Sequence, residues 1–359
     1  MGLRSTYNEI SGGARNCLRC IGKKKCSMVF FVTEPTDWVI KWDGVYLTEN
    51  LKKTCLSDAA LTMTEKGISN QIVYFGSMNS FLKPGGHRDP GHSNRAVLTW
   101  YHVVPGDPRN RQIVDALDSI DFVHTTCEIT RKSLLDIGVP EDKIVVIPTG
   151  VDLDTFKPVS LEEKSRLRKE LGIPEDKIVI GSFQKDGDGW GEGMEPKLIK
   201  GPDTLVDVLG RQDREKIFVL LLGPSRGYVK RELQNRGIQF KHVYLKNFLD
   251  ISKYYNVLDM YLITSRLEGG PKGLVEAMAS GIPVVTTKAG MAPDIVVDGT
   301  SGLTADVGDV MALSEKVSGL IDNGDLARKV SESGLIAVKD LSWDRIAARH
   351  RDEILARLS

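Results

Sequence analysis

The chain has 359 residues, of which 41% are hydrophobic and 27% charged, and its formal net charge is zero. This length predicts two domains, and the composition is that of an ordinary globular protein. The balanced charge argues against a nucleic-acid partner, and no apolar run approaches the ~20 residues that span a bilayer. No signal peptide is evident either, so we expect a cytoplasmic protein.

The first 27 residues carry no domain pattern and are predicted to form a flexible N-terminal extension. Met1–Thr6 nevertheless matches a myristoylation pattern, and Cys17, Cys20 and Lys23–Lys25 could supply second signals for peripheral membrane contact. The five cysteines are an odd number, which suits free thiols in a reducing compartment. Because Cys17-x-x-Cys20 lacks a convincing fourth ligand, we expect no zinc site.

Short apolar runs alternate with helical patterns through the first half of the chain. Strands are predicted at Met28–Thr33, Gln71–Phe75, Ala96–His102, Phe122–Thr126 and Lys143–Pro148, and helices near Leu51–Lys66, Arg109–Ile120 and Ile129–Ile137. This alternation predicts a parallel sheet covered by helices on both faces, here within a first domain of residues 28–158.

The second half repeats the pattern and is predicted to form a domain of residues 159–342. Strands are expected at Lys177–Phe183, Lys216–Leu222, His242–Leu245, Met260–Thr264 and Ile282–Thr287. Helices are expected at Leu161–Leu171, Pro202–Leu209, Tyr228–Asn235, Ile251–Val257, Pro271–Ser280 and Val310–Asp322. Residues 343–359 form an amphipathic C-terminal helix.

The segment from Ser265 to Pro283 contains the clearest motif. The strand Met260–Thr264 leads into a glycine pair, Gly269 and Gly270, and then into a helix. Pro271 suits the first helical position, and Gly281 suits the left-handed position after the helix. A strand, a glycine turn and a helix start together form an anion site, because free N–H groups and the positive helix end converge there.

Two carboxylates frame this site. Glu268 lies in the turn, and Glu276 lies within an otherwise apolar helix. A charge in such a helix is costly unless it is exposed or paired. Glu276 therefore either faces water or binds a polyol, because a carboxylate can accept hydrogen bonds from two neighbouring hydroxyls.

The segment resembles the signature of retaining family 4 glycosyltransferases, in which a first glutamate, seven residues and a second glutamate follow a serine at a strand end. The resemblance implies an α/β fold of the GT-B type, with two doubly wound Rossmann-like domains facing a cleft and a C-terminal helix that crosses back to the first domain. It implies that Glu276 binds the ribose of the donor and that Glu268 lies by the donor sugar. The remaining donor-binding positions are Ser265, Gly269, Gly270 and Leu274. Gly270 stands where the family usually has an aromatic residue.

The family also carries an arginine and a lysine that bind the diphosphate of the donor. Ser182 occupies the place of the arginine, and Lys200, before Gly201, matches the lysine. Phosphate binding needs cations, so Lys185 is the candidate for the missing charge; alternatively it is a solvated loop lysine. Between Lys185 and Lys200, Asp186-x-Asp188 lies in a loop with four glycines. We interpret this loop as mobile and without a metal.

Two further positions follow strand ends. His102 matches a family histidine near the donor sugar, and the carboxyl end of a strand is a suitable place for it; alternatively it holds the next turn. Gly223 permits close approach to a ligand, or else forms a plain tight turn.

The resemblance implies a retaining, metal-independent glycosyltransferase in polysaccharide or glycoconjugate biosynthesis. Its donor would be a UDP-, GDP- or similar nucleotide sugar, with no separate cofactor. Its acceptor would be a glycan, a lipid-linked sugar or a small molecule. Catalytic roles fall to Glu268, His102 and Lys200. The alternatives are a non-catalytic nucleotide-sugar-binding subunit, which the replacement by Ser182 favours, or another GT-B enzyme such as an epimerase or phosphorylase.

Overall fold

The computed structural model describes residues 3–34, 39–54, 57–245 and 247–358. Met1 and Gly2 of the myristoylation pattern, and Cys55, lie outside these ranges. The chain forms two compact units. Unit 1 comprises Met1–Gly150 with Trp343–Ser359, and unit 2 comprises Val151–Ser342. Residues 151–158, which the sequence analysis assigned to the first domain, thus lie in unit 2.

Unit 1 is built on a parallel sheet. Its strands are β1 (Met28–Val32), β2 (Asp58–Thr62), β3 (Ile72–Phe75), β4 (Leu82–Lys83), β5 (Gly86–His87), β6 (Arg95–Thr99), β7 (Phe122–Thr125) and β8 (Ile144–Val146). Its helices up to that point are α1 (Leu3–Cys20), α2 (Val39–Lys53), α3 (Met78–Phe81), α4 (Pro108–Val114) and α5 (Glu128–Asp136). The sheet order is β2-β1-β3-β6-β7-β8, while β4 and β5 form a separate antiparallel pair.

Two sequence predictions for unit 1 are wrong. The helix expected over Leu51–Lys66 ends at Lys53, and Asp58–Thr62 is strand β2. Its alanines and leucine favour a helix locally, but parallel pairing with β1 buries Ala59 and Ala60, and tertiary packing overrides the propensity. The N-terminal segment is not a flexible extension in its described part. It forms helix α1, and the buried Asn16 amide donates to the carbonyls of Thr64 and Lys66 at 3.0 and 3.1 Å.

Unit 2 is a second parallel α/β unit. Its strands are β9 (Ile178–Phe183), β10 (Ile217–Leu222), β11 (Phe240–Val243), β12 (Met260–Ile263), β13 (Val284–Thr287) and β14 (Leu303–Ala305). Its helices are α6 (Leu161–Leu171), α7 (Pro202–Gly210), α8 (Gly227–Asn235), α9 (Ile251–Tyr255), α10 (Lys272–Ala279), α11 (Ala292–Ile295), α12 (Val310–Asp322) and α13 (Gly324–Ala337). The sheet order, β11-β10-β9-β12-β13-β14, is that of a doubly wound Rossmann-like domain. Its core joins Ile180, Val219 and Leu262 of the sheet to Leu205 and Val317 of the helices.

The C-terminal helix, α14 (Trp343–Glu353), belongs to unit 1. It packs along α2, where the Trp343 ring stacks on Tyr46 with ring centroids 5.6 Å apart. Gly150 makes this contact feasible, since a Cβ at that position would lie 2.5 Å from the indole. Within the described ranges, no helix combines the length and hydrophobicity that crossing a membrane requires.

Candidate active site

The strand order in unit 2 defines where a ligand can bind. The order reverses between β9 and β12, which pair directly through Tyr261 and Gly181. In a doubly wound sheet, ligands bind beyond the carboxyl ends of the strands at such a reversal. Ser182 is the penultimate residue of β9, and Ser265 follows β12; both are buried at this edge. The residues around them therefore form the candidate site.

The glycine turn and helix predicted after β12 are present. Helix α10 begins at Lys272, and Pro271 is its N-cap, not the first helical residue as predicted. The reason is its extended ψ of 101°, which turns its carbonyl to accept from the Leu274 N–H at 2.9 Å. Gly281 has the expected left-handed φ of 72°. Gly269 contacts a second loop, because its carbonyl accepts from the N–H of Met291 at 2.8 Å.

Glu268, Lys200 and Ser265 lie together. The Oε1 atom of Glu268 accepts from Lys200 Nζ at 2.6 Å and from Ser265 Oγ at 2.8 Å. Both side chains of the ion pair are largely buried, with 21% of Lys200 and 11% of Glu268 exposed. The structure thus brings together three residues that the sequence analysis assigned to sugar and phosphate binding.

The position of Lys200 follows from a tight contact beneath it. Gly201 is left-handed, with φ of 62°, and a Cβ there would lie 1.9 Å from the Thr264 carbonyl oxygen. Thr264 Oγ1 donates to the Gly201 carbonyl at 2.8 Å, and the N–H groups of Arg266 and Leu267 donate to the Ile199 carbonyl. The short turn carrying Lys200 is therefore bonded along its length to the segment that follows β12.

Glu276 is buried within unit 2, at 4% exposure, so the interpretation that it faces water is wrong. Its Oε2 atom accepts from the hydroxyl of Tyr255 at 2.9 Å. Burial, together with the charge of Glu276, raises the pKa of Tyr255 well above its ordinary value, so the phenol remains a donor. Tyr255 packs in turn against Phe183 and Tyr261, with ring centroids 4.8 and 5.4 Å away. The sequence analysis missed Tyr255, because only the fold brings α9 to α10.

The loop with four glycines is a hairpin that is bonded to its neighbours, and not the freely mobile segment we predicted. Gly187 pairs with Pro196 in an antiparallel bridge, and Ser225 Oγ donates to the carbonyls of Gly189 and Gly191 at 3.2 and 3.0 Å. Lys185 precedes this hairpin, and its ammonium lies 4.1 Å from the centroid of the Trp190 ring.

Asp186 and Arg226 form a buried ion pair at the base of this hairpin. Their side chains are 1% and 0% exposed, and Arg226 Nε lies 3.0 Å from Asp186 Oδ1, without hydrogen-bond alignment. Burial raises the pKa of Asp186 against the opposing charge of Arg226. The guanidinium also donates to the carbonyls of Ser182, Gln184 and Leu222 at 2.7–3.0 Å. No group of three or more potential metal ligands occurs in the described part of the chain.

Two other predicted positions have different surroundings. Gly223 does allow a close approach, with φ of 108°, but the atom it approaches is the Gln184 carbonyl oxygen, which would lie 2.6 Å from a Cβ. Its own carbonyl contacts Nε2 of His242 at 2.8 Å. His102 belongs to unit 1, where it is half-buried, three residues beyond the end of β6.

Unit 1 contains a buried histidine pair at the carboxyl edge of its own sheet. The rings of His124 and His350 meet edge to face with centroids 4.7 Å apart, beside a small cavity that Tyr74, Tyr101 and Trp343 also line. His124 Nε2 contacts the Ile147 carbonyl at 2.9 Å, and its Nδ1 contacts Thr99 Oγ1 at 3.1 Å. Sequence spacing gave no sign of this pair, since α14 carries one member.

Comparison with known proteins identifies a family match that covers most of unit 2, and relatives that are similar over most of the chain. The profile of the family described as "Glycosyl transferases group 1" matches residues 194–335. The D-inositol 3-phosphate glycosyltransferase of Xylanimonas cellulosilytica is 29% identical over 274 residues, which cover 70% of this chain and 61% of that protein. A GDP-mannose-dependent monoacylated alpha-(1-6)-phosphatidylinositol monomannoside mannosyltransferase of Corynebacterium glutamicum is 26% identical over 327 residues, covering 87% of this chain and 82% of that protein.

Solved structures share the fold. Anabaena HepE in complex with UDP and glucose superposes with a TM-score of 0.76 at 17% identity, covering 92% of this chain and all of that one. The predicted α/β fold of the GT-B type, with two Rossmann-like domains, is confirmed. The chain spans about three fifths of the inositol-phosphate glycosyltransferases it matches. Residues 194–335 are thus similar to the group 1 glycosyltransferases, and the chain has the GT-B fold.

Proposed function

We propose that this chain transfers a sugar from a nucleoside diphosphate sugar to an acceptor hydroxyl, with retention of configuration and without a bound metal ion. The buried carboxylate of Glu276, held by Tyr255 at the switch point of unit 2, carries this proposal. A carboxylate can accept hydrogen bonds from two neighbouring hydroxyls, as the ribose of a nucleotide presents them. The group 1 domain and the names of the relatives support the same assignment.

The donor binds along the edge formed by β9, β12 and α10. Glu276 takes the ribose and Lys200 takes the diphosphate, next to the N–H groups at the start of α10. Glu268 positions the donor sugar. Gly269 and Gly270, with Leu274, let the backbone approach the phosphates.

The chemistry breaks the bond between the anomeric carbon and the phosphate oxygen and forms a bond to the acceptor oxygen on the same face. The leaving phosphate oxygen takes the acceptor proton, so no residue acts as the nucleophile. Negative charge grows on the diphosphate as it leaves, and a fixed ammonium such as Lys200, with the helix start, stabilises it. Because Glu268 holds Lys200 at 2.6 Å, the lysine is already in place when the donor arrives.

The donor is a UDP or GDP sugar, and the acceptor is a polyol, a glycan or a lipid-linked sugar. One structural neighbour was solved with UDP and glucose, and one relative is named as GDP-mannose-dependent, so both nucleotides belong in the test. The names of the relatives also contain inositol 3-phosphate and phosphatidylinositol monomannoside, which are the first acceptors to try.

Replacing Glu276 tests the ribose assignment. Glu276→Gln keeps the size of the side chain but removes its charge, and hydrogen bonds to charged groups contribute ~1.5–3 kcal/mol. We expect the affinity for the preferred nucleotide, UDP or GDP, to fall at least ~10-fold by calorimetry. Glu315→Gln, an exposed glutamate on α12, is the matched control and should bind like the wild type. Equal affinities in all three proteins would refute the ribose assignment.

A second function, as a nucleotide-sugar-binding subunit without catalysis, has one observation in its favour. Ser182 carries no charge, and Glu268 already neutralises Lys200, so the leaving diphosphate meets less positive charge here than two free cations would provide. Slow hydrolysis of the donor without an acceptor separates the two functions. An enzyme hydrolyses its preferred donor, and Lys200→Ala slows this step, whereas a binding subunit leaves the donor intact.

A further inference from the structure

The proposed diphosphate site has too little positive charge for two phosphates, and Ser182 cannot supply any. Its side chain is 1% exposed, and its Oγ accepts from Arg226 Nη2 at 3.2 Å. Arg226 is equally buried, and its donors contact backbone carbonyls, so its charge stays below the surface. A diphosphate ester carries one negative charge on each phosphate, and Lys200 alone, paired with Glu268, does not balance both.

Lys197 is the lysine nearest to Lys200 in the sequence, three residues before it. It is half-buried, one tight turn before Lys200, whose N–H donates to the Lys197 carbonyl at 2.8 Å. Among the described residues, no carboxylate forms an ion pair with its ammonium group. Burial and the charges of Lys200 and Lys185 lower the pKa of Lys197, while Asp188 and Glu268 oppose this effect. The ammonium groups of Lys185, Lys197 and Lys200 thus influence one another, and within the described part of the chain the one ion pair among them is that of Lys200 with Glu268.

The backbone of Lys197 is fixed by the hairpin stem. Its N–H donates to the carbonyl of Asp186 at 2.8 Å, next to the Gly187–Pro196 bridge. Asp186 is held in turn by its buried ion pair with Arg226. The far end of the hairpin is also bonded, since the Gly227 N–H donates to the Glu192 carbonyl at 2.7 Å. A cation on such a stem is preorganised, in contrast to one on an unrestrained loop.

Lys185 is less suited to the same task. Its ammonium lies over the Trp190 ring, and this favourable interaction would be lost on turning towards a phosphate. Lys197 has no such competing partner among the described residues.

We infer that Lys197 contacts the diphosphate of the bound nucleotide and acts with Lys200 as the second cation of the site. This inference rests on the proposed function, because it needs a nucleoside diphosphate in unit 2. Lys197 acts through charge on the phosphate next to the sugar. Its contribution should therefore appear with diphosphates and be absent with monophosphates.

Calorimetry with paired ligands tests the inference. Wild type, Lys197→Ala and Lys197→Arg are each titrated with UDP and UMP, and with GDP and GMP, and the preferred base is used for the comparison. We expect Lys197→Ala to lower diphosphate affinity about 10-fold, equivalent to about 1.4 kcal/mol, while monophosphate affinity changes less than two-fold. Lys197→Arg keeps the charge and should restore most of the diphosphate affinity. Lys329→Ala, an exposed lysine on α13, is the matched control.

The outcomes separate the two claims. If the wild type binds neither diphosphate, the proposed function is wrong and this inference falls with it. If the wild type binds and Lys197→Ala keeps its ratio of diphosphate to monophosphate affinity, the inference alone is wrong. An equal loss with both ligands, with an unchanged melting temperature, would also overturn it, because that result places Lys197 away from the second phosphate.

Discussion

The buried pair of His124 and His350 makes the stability of unit 1 depend on pH between about 4 and 6.5, where few other groups titrate. Burial lowers the pKa of His124 to about 4, from an ordinary value of 6.5, and it lowers the pKa of His350 in the same direction. The unfolded chain therefore binds more protons than the folded one between these values. Stability is fully present above pH ~6.5 and is lost as the pH falls towards 4.

The size of the effect follows from the shift of His124. The two pKa values differ by about 2.5 units, and each unit corresponds to about 1.4 kcal/mol, so the complete loss is about 3 kcal/mol. At pH 5 the linkage relation gives about 2 kcal/mol of this loss. His350 adds to the same slope, because burial lowers its pKa as well. Carboxylates whose pKa is held low, such as Asp107, lose their contribution only below pH ~4.

Urea unfolding at pH 7, 6 and 5, followed by tryptophan fluorescence, measures this slope. Of the described tryptophans, Trp42, Trp100 and Trp343 belong to unit 1, whereas Trp190 of unit 2 is 65% exposed and should change little on unfolding. His124→Gln should lower the free energy of unfolding at pH 7, because it disturbs the contacts with Thr99 and Ile147, yet flatten its dependence on pH.

The exposed His92 supplies the control, since His92→Gln should keep the wild-type slope. The reasoning is refuted if the wild type is equally stable at pH 7 and pH 5. It is also refuted if His124→Gln retains the full dependence on pH, because the charge of a buried imidazole would then not be its cause.

Two further predictions concern unit 2. Gly201→Ala places a Cβ 1.9 Å from the Thr264 carbonyl oxygen, whereas Gly299→Ala, also left-handed with φ of 74°, meets no atom within 4 Å. Backbone strain alone costs ~1–2 kcal/mol in both variants. We therefore expect Gly201→Ala to lower the free energy of unfolding by at least twice as much as Gly299→Ala does. Equal decreases would contradict the tight contact beneath Lys200. Donor hydrolysis should persist in EDTA, because the carboxylate of Asp186 is buried against Arg226 and not available to a metal. Complete loss of activity that Mg²⁺ or Mn²⁺ restores would show the opposite.

Elements with strong local signals could be predicted from the sequence. Helices α6 and α12 have the predicted bounds, because local caps define their ends: Ser160 Oγ accepts from the Glu163 N–H, and Gly172 is left-handed after α6. Strand β14 and helix α13 gave no comparable signal and were missed. Strand β2 was predicted as a helix, since its alanines reveal their strand state only when paired with β1.

The candidate site divides in the same way. Glu268 and Glu276 could be found because strand, glycine turn and helix are consecutive in the sequence. Tyr255 was missed although it precedes Glu276 by only 21 residues, because the two meet through packing of separate elements. His124 and His350 are still farther apart in the sequence, and nothing close to either histidine along the chain indicates their contact.

The surroundings of Arg226 show why the sequence could not reveal a replacement for the family's arginine at Ser182. An arginine in a phosphate site must expose its guanidinium, but this one is desolvated by the ends of β9 and β10 and bonded to three carbonyls there. Those bonds and the ion pair with Asp186 fix the strand ends and the hairpin stem relative to each other. The same hairpin carries Lys197, so the buried ion pair helps to fix the stem from which the side chain of Lys197 extends. In the sequence, the uncharged Ser182 stands 15 residues before Lys197, and the hairpin between them brings the Lys197 backbone back to the carbonyl of Asp186.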